Sequence, residues 1–419
     1  MKIALIGGGS PSTPALIAYL AECRKLPETE IVLLSRSETS LGAVARAARA
    51  LTVDHPMAIA PISLADSCWP EALVGADIVL LQTRIGGYAA REYDETFPLA
   101  FDICGDQDLG PGGLANAWRS WPHLKRFFLE AAKWSPNTTF IVLSSPVGLL
   151  VRLGLLSAPN LRIVGICELP WATLLNICST VDAPCRRVQF SYVGLHHFGW
   201  FFRLRCGNRN IIREFAAAIQ ESSEFPSAAL VRRFSAIPTP YARLHFENKK
   251  VVAEQKRNPG SRSRYLAEYR REALDVFNRG RADEIKAVLK RRPTPWYSKA
   301  VGPLMAALAG ARVTQPFFLS CPNGGAVQQL AHQDVLELAY CAREGAIDPF
   351  PVSAPIPNRV FAAMRQFLEA ESLAAEAVAR QDPLMLSAAI AAHPWTSRRP
   401  GAVAAITEMV MAAAWGDKS

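Results

Sequence analysis

The sequence has little of what marks a membrane or secreted protein. A membrane-spanning helix needs roughly 18 uncharged apolar residues, but the apolar run Phe140–Val151 is interrupted by Ser144 and Ser145 and is followed by Arg152. The N-terminal run Met1–Ile6 is short and enters a glycine cluster, which favours a buried first strand over a secretory signal. We therefore expect a cytoplasmic protein with no membrane partner.

Closely paired cysteines and massed basic residues are also lacking. The nine cysteines form no Cys-x-x-Cys pair, so neither a disulfide framework nor a zinc ribbon is indicated. The 46 Lys and Arg residues exceed the 37 Asp and Glu residues by a net charge of +9, but they are scattered along the chain. Nucleic-acid binding is not expected, because no basic helix, RNA-binding signature or zinc finger is present. The surplus of positive charge is compatible with an ordinary solvated surface or with a locally positive cleft for an anionic ligand.

The chain has 419 residues, of which 50% are apolar and 20% charged, and this length favours two domains over a single core. Continuous apolar strands alternate with helices over the first 170 residues, a pattern typical of a parallel sheet covered on both faces. We therefore expect a Rossmann-type doubly wound α/β domain at 1–185. The strands of this domain are predicted at Lys2–Ile6, Glu30–Leu34, Ala76–Gln82, Thr139–Leu143 and Ile163–Ile166.

From about Arg186 the pattern changes to antiparallel strands and long helices, so a second α/β domain is predicted at 186–419. Its strands and helices are predicted at Arg187–Tyr192, Phe201–Leu204, Ser263–Phe277, Ser298–Ala309 and Asn358–Ala391. The absence of a flexible linker predicts that the two domains pack tightly.

A glycine cluster follows the first predicted strand. Gly7, Gly8, Gly9 and Ser10 lie between this strand and a helix, where backbone N–H groups and the helix dipole can bind the pyrophosphate of a dinucleotide. Ser12 takes the place of the third glycine in the usual fingerprint. The position of the cluster at the start of a βαβ unit predicts a dinucleotide cofactor.

The end of the second predicted strand bears on the choice between NAD and NADP. An acidic residue at this point normally binds the adenosine ribose of NAD, but here the residues are Ser35 and Arg36. A hydroxyl followed by Arg suits a 2′-phosphate. NADP therefore stays open beside NAD, as does the interpretation of Arg36 as an ordinary exposed loop residue.

Polar residues also follow the later strands. Arg84 and Arg91 flank Gly86-Gly87 after the third predicted strand, and Cys167-Glu168 follows the fifth. Loops at the carboxyl ends of parallel strands form the ligand crevice of such folds. A thiolate there, with an imidazole from His196-His197, could hold a divalent cation with open positions for substrate oxygens. The alternative is that Cys167 and the histidines are buried structural side chains.

Taken in order, these residues resemble glycoside hydrolase family 4, the NAD-dependent glycosidases. The resemblance covers nearly the whole chain, from the glycine cluster through Arg84–Leu99 and a second glycine-rich loop to the cysteine and histidine motifs. The matching segments are Ile6–Pro14, Arg84–Gly87, Ala90–Leu99, Gly110–Leu114, Cys167–Pro170, Gly194–Trp200, Pro238–Tyr241, Trp296–Ser298, Asn323–Gly325 and Ala392–Pro394.

The resemblance implies a Rossmann domain similar to that of lactate and malate dehydrogenases, and a catalytic role for the second α/β domain at 186–419, which would bind the substrate. It also implies a mechanism without two catalytic carboxylates. In the family, NAD⁺ takes a hydride from C3 of the sugar and a base removes the acidified C2 proton. The C1 substituent is then eliminated, water adds at C1, and NADH returns the hydride. A divalent metal, expected to be Mn²⁺, stabilises the oxyanion, and a homodimer or homotetramer is the expected assembly.

The resemblance also implies roles for individual residues. Tyr241 is the expected C2 base and Glu168 the acid that protonates the leaving oxygen, while Cys167 and His197 are the expected metal ligands. The remaining expected contacts are with the cofactor, from Gly7, Gly8, Gly9, Ser10, Ser35, Arg36 and Arg84, and with the substrate, from Arg91, Ser145, His196 and Arg262.

Several positions depart from the family pattern. Ser144-Ser145-Pro146 replaces Thr-Asn-Pro, His196 replaces the Asn before the metal-binding His, and Gly105–Asp108 replaces Gly-Gln-Glu-Thr. These changes indicate a divergent branch. The basic segment Lys249–Arg292, and Arg262 first within it, suits a glycoside with an anionic C6 group: phosphate, carboxylate or sulfonate.

Two other functions are compatible with these residues. One is an NAD(P)-dependent sugar or hydroxy-acid dehydrogenase that does not cleave a glycosidic bond, although simple oxidation needs no C2 base. The other is a catalytically silent protein that binds a nucleotide or sugar. Retention of Cys167, His197 and Tyr241 speaks against this second alternative, and Ser145 keeps it open.

Overall fold

The computed structural model describes residues 1–23, 26–219, 225–343, 346–352 and 354–413. Within them, thirteen strands form one mixed sheet. In chain order the strands are β1 (Lys2–Ile6), β2 (Thr29–Ser35), β3 (Met57–Ser63), β4 (Ile78–Leu81), β5 (Thr139–Val142), β6 (Arg162–Ile166), β7 (Gln189–Leu195), β8 (Phe198–Cys206), β9 (Arg209–Asn210), β10 (Ile237–Pro238), β11 (Phe317–Pro322), β12 (Val335–Arg343) and β13 (Ala346–Pro349).

The first half of the sheet is parallel, with strand order β3-β2-β1-β4-β5-β6. Its strands other than β3 each contain a buried apolar run because both faces are covered. On β1, Ala4 and Ile6 pack into the core on one face, whereas Ile3 and Leu5 pack into the core on the other. This arrangement confirms the predicted doubly wound fold and places the carboxyl ends of all six strands at one edge.

The α-helices cover this sheet. In chain order they are α1 (Thr13–Glu22), α2 (Glu38–Leu51), α3 (Gly87–Thr96), α4 (Gly110–Trp134), α5 (Val147–Ser157), α6 (Leu169–Thr180), α7 (Ile211–Ala218), α8 (Ala228–Phe234), α9 (Arg243–Phe246), α10 (Asn248–Arg257), α11 (Ser261–Arg279), α12 (Ala282–Arg291), α13 (Gly302–Leu308), α14 (Asn358–Arg380), α15 (Pro383–Ala392) and α16 (Val403–Ala412).

The second half of the sheet is antiparallel and continues from the first without a break. Strand β11 pairs with β6, and β12, β7, β8 and β10 follow in that order. The two predicted domains therefore share one sheet, and the boundary between 185 and 186 stays a prediction.

Some elements differ from the predictions, among them β3 and the last long helix. Strand β3 was not predicted, because its burial is only partial and its sequence includes Pro61, so no continuous apolar run marks it. The predicted helix Asn358–Ala391 is divided into α14 and α15. Gln381 adopts the left-handed conformation at φ 53°, and the Asp382 side chain accepts hydrogen bonds from the backbone of the next helix.

No helix among the described residues is long and apolar enough to cross a membrane. Nine free cysteines are present, and Cys167 is among the buried ones.

Candidate functional site

The glycine cluster forms a tight turn at the carboxyl end of β1. Gly7 has φ +90°, and a Cβ placed on it would lie 2.6 Å from the carbonyl oxygen of Gln82. A Cβ on Gly9 would lie 2.7 Å from Ser35 Oγ. Side chains are therefore excluded from this turn, and helix α1 begins directly after it at Thr13. Such an uncovered strand–turn–helix backbone suits the pyrophosphate of a dinucleotide.

A basic side chain from the second half of the chain reaches the same turn. Arg292 donates a hydrogen bond to Ser12 Oγ at 2.7 Å, and its guanidinium lies over the rings of Tyr269 and Trp296 at 5.6 and 5.2 Å. The sequence analysis did not single out Arg292 within the basic segment. The structure places its positive charge beside the loop where the anionic part of a dinucleotide would lie.

The carboxyl end of β2 presents hydroxyl and guanidinium groups. Ser35 is partly buried, Arg36 is exposed, and Ser37 and Ser40 follow at the start of α2. Arg270 from α11 donates a hydrogen bond to Ser40 Oγ at 2.8 Å. Two arginines and three hydroxyls thus surround the position at which the adenosine ribose would be bound.

We expect Arg36→Ala to weaken NADPH binding about 10-fold while leaving NADH binding unchanged, because a charged hydrogen bond to a phosphate contributes roughly 1.5–3 kcal/mol. The quenching of protein fluorescence measures both affinities. Arg46→Ala, which removes an exposed arginine from the same helix α2, is the matched control. Identical NADPH affinities of the wild type and Arg36→Ala would rule out a 2′-phosphate contact.

A second group of residues gathers at the ends of β6 and β7. Cys167 follows β6, and His196 and His197 form the tight turn between β7 and β8. One donor atom from each of these three side chains lies within 4.8 Å of the others. The imidazole rings of the two histidines stack with centroids 4.1 Å apart, and the ring of Tyr241 continues the stack at 4.1 Å from His197.

Strand pairing explains why a carboxylate lies beside these residues. Glu337 on β12 is paired with Gly194 on β7 on one side and with Ser320 on β11 on the other. Its side chain is 1% exposed, lies 3.5 Å from His196 Nδ1 through Oε1, and accepts a hydrogen bond from the Tyr192 hydroxyl. Glu337 therefore lies between β7, which leads to His196 and His197, and the strands β11 and β6, of which β6 leads to Cys167.

A second carboxylate approaches from the loop before α4. Asp108 Oδ1 lies 3.6 Å from His196 Nε2, and Asp108 Oδ2 lies 3.8 Å from His197 Nδ1. The Ser145 hydroxyl donates a hydrogen bond to Asp108 Oδ2 at 2.9 Å, and Asn116 donates to the Ser145 carbonyl oxygen at 2.9 Å. Ser145, predicted from the sequence as a substrate contact, thus joins the site through Asp108.

The electrostatics of this cluster favour an added cation. Burial and the charges of Glu168 and Glu337 raise the pKa of the Cys167 thiol, and burial and His196 lower the pKa of His197 to about 3. Without a metal, Cys167 is therefore a protonated thiol and His197 a neutral imidazole. A divalent ion can displace the thiol proton and accept the imidazole lone pair, so these buried side chains fit a metal.

Tyr241 and Glu168, the predicted base and acid, border the same cluster. Burial and the charges of Asp106 and Asp108 raise the pKa of Tyr241, while the positive charge of Arg262 opposes this increase. Burial also raises the pKa of Glu168, which immediately precedes α6. A phenol with a raised pKa needs a cation beside it to act as a base, whereas a carboxyl with a raised pKa is suited to act as an acid.

The predicted arginines lie along the edge formed by α3 and the start of α11. Arg91 pairs with Glu95 at 2.7 Å, and Glu95 accepts a hydrogen bond from Ser263, the neighbour of Arg262. Burial and the charge of Arg91 lower the pKa of Arg84 to about 10. Arg84 donates its hydrogen bond to Gln107 and lies near Asp108, so the structure places it near the predicted substrate contacts.

Two carboxylates of the cluster were missed by the sequence analysis. Asp108 lies in the glycine-rich loop Gly105–Gly113, where the sequence analysis noted only that Gly105–Asp108 departs from the family pattern. Glu337 could have been noticed as a single acid within the apolar segment Val335–Ala339. Their contacts with the histidines depend on long-range strand pairing and loop packing, which a single sequence does not display.

Comparison with known proteins identifies the family. The model described as "Family 4 glycosyl hydrolase" matches residues 2–182, and its "C-terminal domain" model matches residues 192–396. The chain is 24% identical over 400 residues to the "Probable 6-phospho-beta-glucosidase" of Bacillus subtilis, covering 91% of this chain and 89% of that protein. It is 24% identical over 353 residues to a 6-phospho-beta-glucosidase of Thermotoga maritima, covering 83% of both.

Solved structures agree on the fold. The Thermotoga maritima 6-phospho-beta glucosidase with manganese, NAD⁺ and glucose-6-phosphate superposes with a TM-score of 0.85 at 22% identity, covering 99% of this chain and 98% of that one. A 6-phospho-alpha-glucosidase from gut microorganisms with NAD and Mn²⁺ gives 0.82 at 19% identity, covering 98% and 97%. Malate dehydrogenase from Plasmodium falciparum gives 0.54 at 10% identity, covering 90% and 99%.

Proposed function

Because this chain belongs to glycosyl hydrolase family 4, we propose that it hydrolyses a small glycoside carrying a phosphate on C6 of the sugar. The observation that carries this proposal is the convergence of Cys167, His196 and His197 with Tyr241 stacked against His197 at 4.1 Å. We propose that residues 1–185 bind NAD and that residues 186–419 supply most groups that contact the sugar.

The chemistry divides between the cofactors and the side chains. When bound, NAD supplies a reversible hydride acceptor for the sugar, and a divalent metal supplies a Lewis acid for the sugar oxygens. Cys167 and His197 are the residues that would hold the metal. Tyr241 takes the proton from C2, and Glu168 delivers a proton to the oxygen of the departing group. Asp108 and Glu337 hold the two histidines in place.

A base at C2 separates this function from that of a plain dehydrogenase. Oxidation of a hydroxyl requires hydride transfer and removal of the hydroxyl proton only. Cleavage by elimination additionally requires removal of a carbon-bound proton and protonation of a leaving oxygen. Tyr241 and Glu168 lie around the same cluster, so the side chains present can serve both additional steps.

Arginine placement supports a phosphate rather than a neutral sugar. The carboxylates Asp108 and Glu337 occupy the metal end of the site, and a dianion there would be repelled. Arg91 and Arg262 are carried by α3 and the start of α11, which are joined through Glu95 and Ser263, and the charge of Arg262 also acts on Tyr241. Guanidinium groups bind phosphate through paired hydrogen bonds. Relatives with this fold are named 6-phospho-glucosidases, and structures of such relatives contain glucose-6-phosphate.

The test uses nitrophenyl glycosides with and without a 6-phosphate, incubated in D₂O with NAD⁺ and Mn²⁺. We expect nitrophenol release from the 6-phosphorylated substrates, deuterium at C2 of the released sugar, and no accumulation of NADH. Steady formation of NADH without nitrophenol would establish the dehydrogenase instead. Nucleotide binding without either product would establish a silent binding protein.

Arg262→Ala is expected to raise the KM for the 6-phosphorylated glycoside about 10- to 100-fold with little change in kcat, because one charged contact to the phosphate is lost. Arg257→Ala, which removes an exposed arginine at the end of α10, is the matched control. Steady-state kinetics with both variants measure the effect. An unchanged KM in Arg262→Ala would remove Arg262 from the phosphate site.

We also propose a cytoplasmic homodimer or homotetramer. This proposal is supported by membership of the family alone, since the structure is that of a single chain. Sedimentation equilibrium of the purified protein measures the mass of the assembly directly, and a 45.7 kDa species would mean a monomer.

A further inference from the structure

Position 196 is the feature of the metal cluster that sets this chain apart. The family pattern has Asn before the metal-binding histidine, and this chain has His196. The side chain of His196 is 4% exposed. One of its ring nitrogens belongs, with Cys167 Sγ and a nitrogen of His197, to a group of donor atoms that all lie within 4.8 Å of one another. Donor atoms around a single tetrahedral ion stand about 3.3–3.8 Å apart, so small side-chain movements suffice to bring the three onto one ion.

The surroundings of His196 match those of an imidazole ligand. Glu337 Oε1 lies 3.5 Å from Nδ1, beyond a good hydrogen bond, on the side from which a carboxylate can orient a ligating histidine and fix its tautomer once the two atoms draw closer. That tautomer carries its proton on Nδ1 and leaves the lone pair on Nε2. Nε2 faces Asp108 Oδ1 at 3.6 Å, across a gap longer than a good hydrogen bond. Glu337 itself is fixed by the hydroxyl of Tyr192.

We propose that His196 is a third protein ligand of the metal, so that the site is Cys167, His196 and His197 with Glu337 as the orienting carboxylate. This proposal rests on the metal site of the proposed function. It changes the expected metal preference of that site and the number of positions open to the sugar. A thiolate with two imidazoles is a borderline-soft set that favours Zn²⁺ and Co²⁺ over Mn²⁺. It also leaves fewer positions on the ion for oxygens of the sugar.

Another donor set shares His197 but is less suited to a metal. Asp106, Asp108 and His197 also have donor atoms within 4.8 Å of one another. However, Asp106 Oδ1 already accepts hydrogen bonds from the backbone N–H groups of Asp108 and Leu109 at 2.8 and 2.9 Å. Asp108 Oδ2 accepts one from Ser145. These carboxylates are engaged in shaping their own loop through short hydrogen bonds, whereas Cys167 Sγ accepts a longer one from the Leu169 N–H at 3.4 Å and donates a weak one to Glu168 Oε2 at 3.7 Å.

Cobalt substitution tests the ligand number without using enzymatic activity. Wild-type protein loaded with Co²⁺ is expected to show the intense visible bands of a four-coordinate ion together with a thiolate-to-cobalt charge-transfer band. Weak visible bands typical of six-coordinate cobalt would overturn the proposal. This measurement needs no variant, so it does not depend on whether a substitution disturbs folding.

Affinities then assign the third ligand to His196. By competition with a chelating dye, His196→Asn is expected to weaken Co²⁺ and Zn²⁺ binding about 100-fold or more and Mn²⁺ binding less than about 10-fold. Glu337→Gln should weaken Co²⁺ binding about 10- to 100-fold through the loss of orientation. His332→Asn, which replaces an exposed histidine elsewhere, is the matched control and should change neither affinity.

The outcomes separate this proposal from the proposed function. Equal Co²⁺ affinities of wild type and His196→Asn would overturn the three-ligand site, even if phosphoglycosides are hydrolysed. Four-coordinate cobalt that is lost in His196→Asn would support it, even if none of the glycosides tested is cleaved. Loss of hydrolysis alone would therefore contradict the proposed function but not the proposed set of metal ligands.

Discussion

Replacing Tyr241 with phenylalanine is expected to reduce both hydrolysis and C2 deuterium exchange by about 100- to 10,000-fold, the usual contribution of a positioned general base. The substitution removes one hydroxyl and keeps the ring that stacks on His197 at 4.1 Å. Binding of NADH and of Co²⁺ should therefore stay at wild-type levels. Steady-state kinetics and the deuterium content of the recovered sugar measure the two rates.

The reason lies in the charges around the phenol. Burial, Asp106 and Asp108 raise the pKa of Tyr241 in the protein without a metal, so the phenolate forms readily only when a cation is added nearby. Removal of the metal with a chelator should thus suppress exchange in the wild type as strongly as the substitution does. Tyr265→Phe, at an exposed tyrosine of α11, is the matched control. Unchanged exchange in Tyr241→Phe would mean that another group removes the C2 proton.

The parallel half of the fold was predictable because its physical signal is local. A strand covered on both faces must be apolar at every position, so β1, β2, β4, β5 and β6 each appear in the sequence as a short continuous run. Strand β3 gives a weaker signal, because it lies at the sheet edge and is only partly buried. The division of the last long helix depends on one residue, Gln381 in the left-handed conformation, which propensity does not anticipate.

Membership of the family, the enzyme class and the Rossmann-type fold, all predicted from ordered motifs, are confirmed by the comparisons. The cofactor prediction agrees with relatives whose structures contain NAD and manganese. Residue roles stay predictions. The structure brings Cys167, His197 and Tyr241 together.

The sequence motifs do not predict contacts made by residues that lie outside them. Glu337 meets His196 only because β12 pairs with β7, and Asp108 meets both histidines only because its loop folds over the strand ends. Neither contact has a spacing pattern along the chain. His196 itself was predicted to contact substrate, whereas its position between Glu337 and Asp108 supports the role of a ligand proposed above.

Glu168→Gln is expected to lower hydrolysis of alkyl glycosides by about 100- to 10,000-fold while leaving nitrophenyl glycosides almost unaffected. An alkoxide is a poor leaving group and needs a proton as the bond breaks, whereas nitrophenolate leaves without one. The glutamine keeps the size of the side chain and its place before α6, so cofactor binding should not change.

The environment of Glu168 supports the expected difference between alkyl and nitrophenyl glycosides. Burial raises its pKa while His196 and Lys299 oppose the increase, so a larger fraction of the carboxyl is protonated near neutral pH than at an exposed glutamate. The ratio of kcat/KM for the two substrate types, measured in wild type and Glu168→Gln, isolates proton donation from binding. Glu130→Gln, at a partly exposed glutamate of α4 whose carboxylate accepts a hydrogen bond from the Trp134 indole, is the matched control. Equal losses for both leaving groups would instead assign Glu168 to positioning the adjacent Cys167, because a misplaced thiolate would slow every substrate alike.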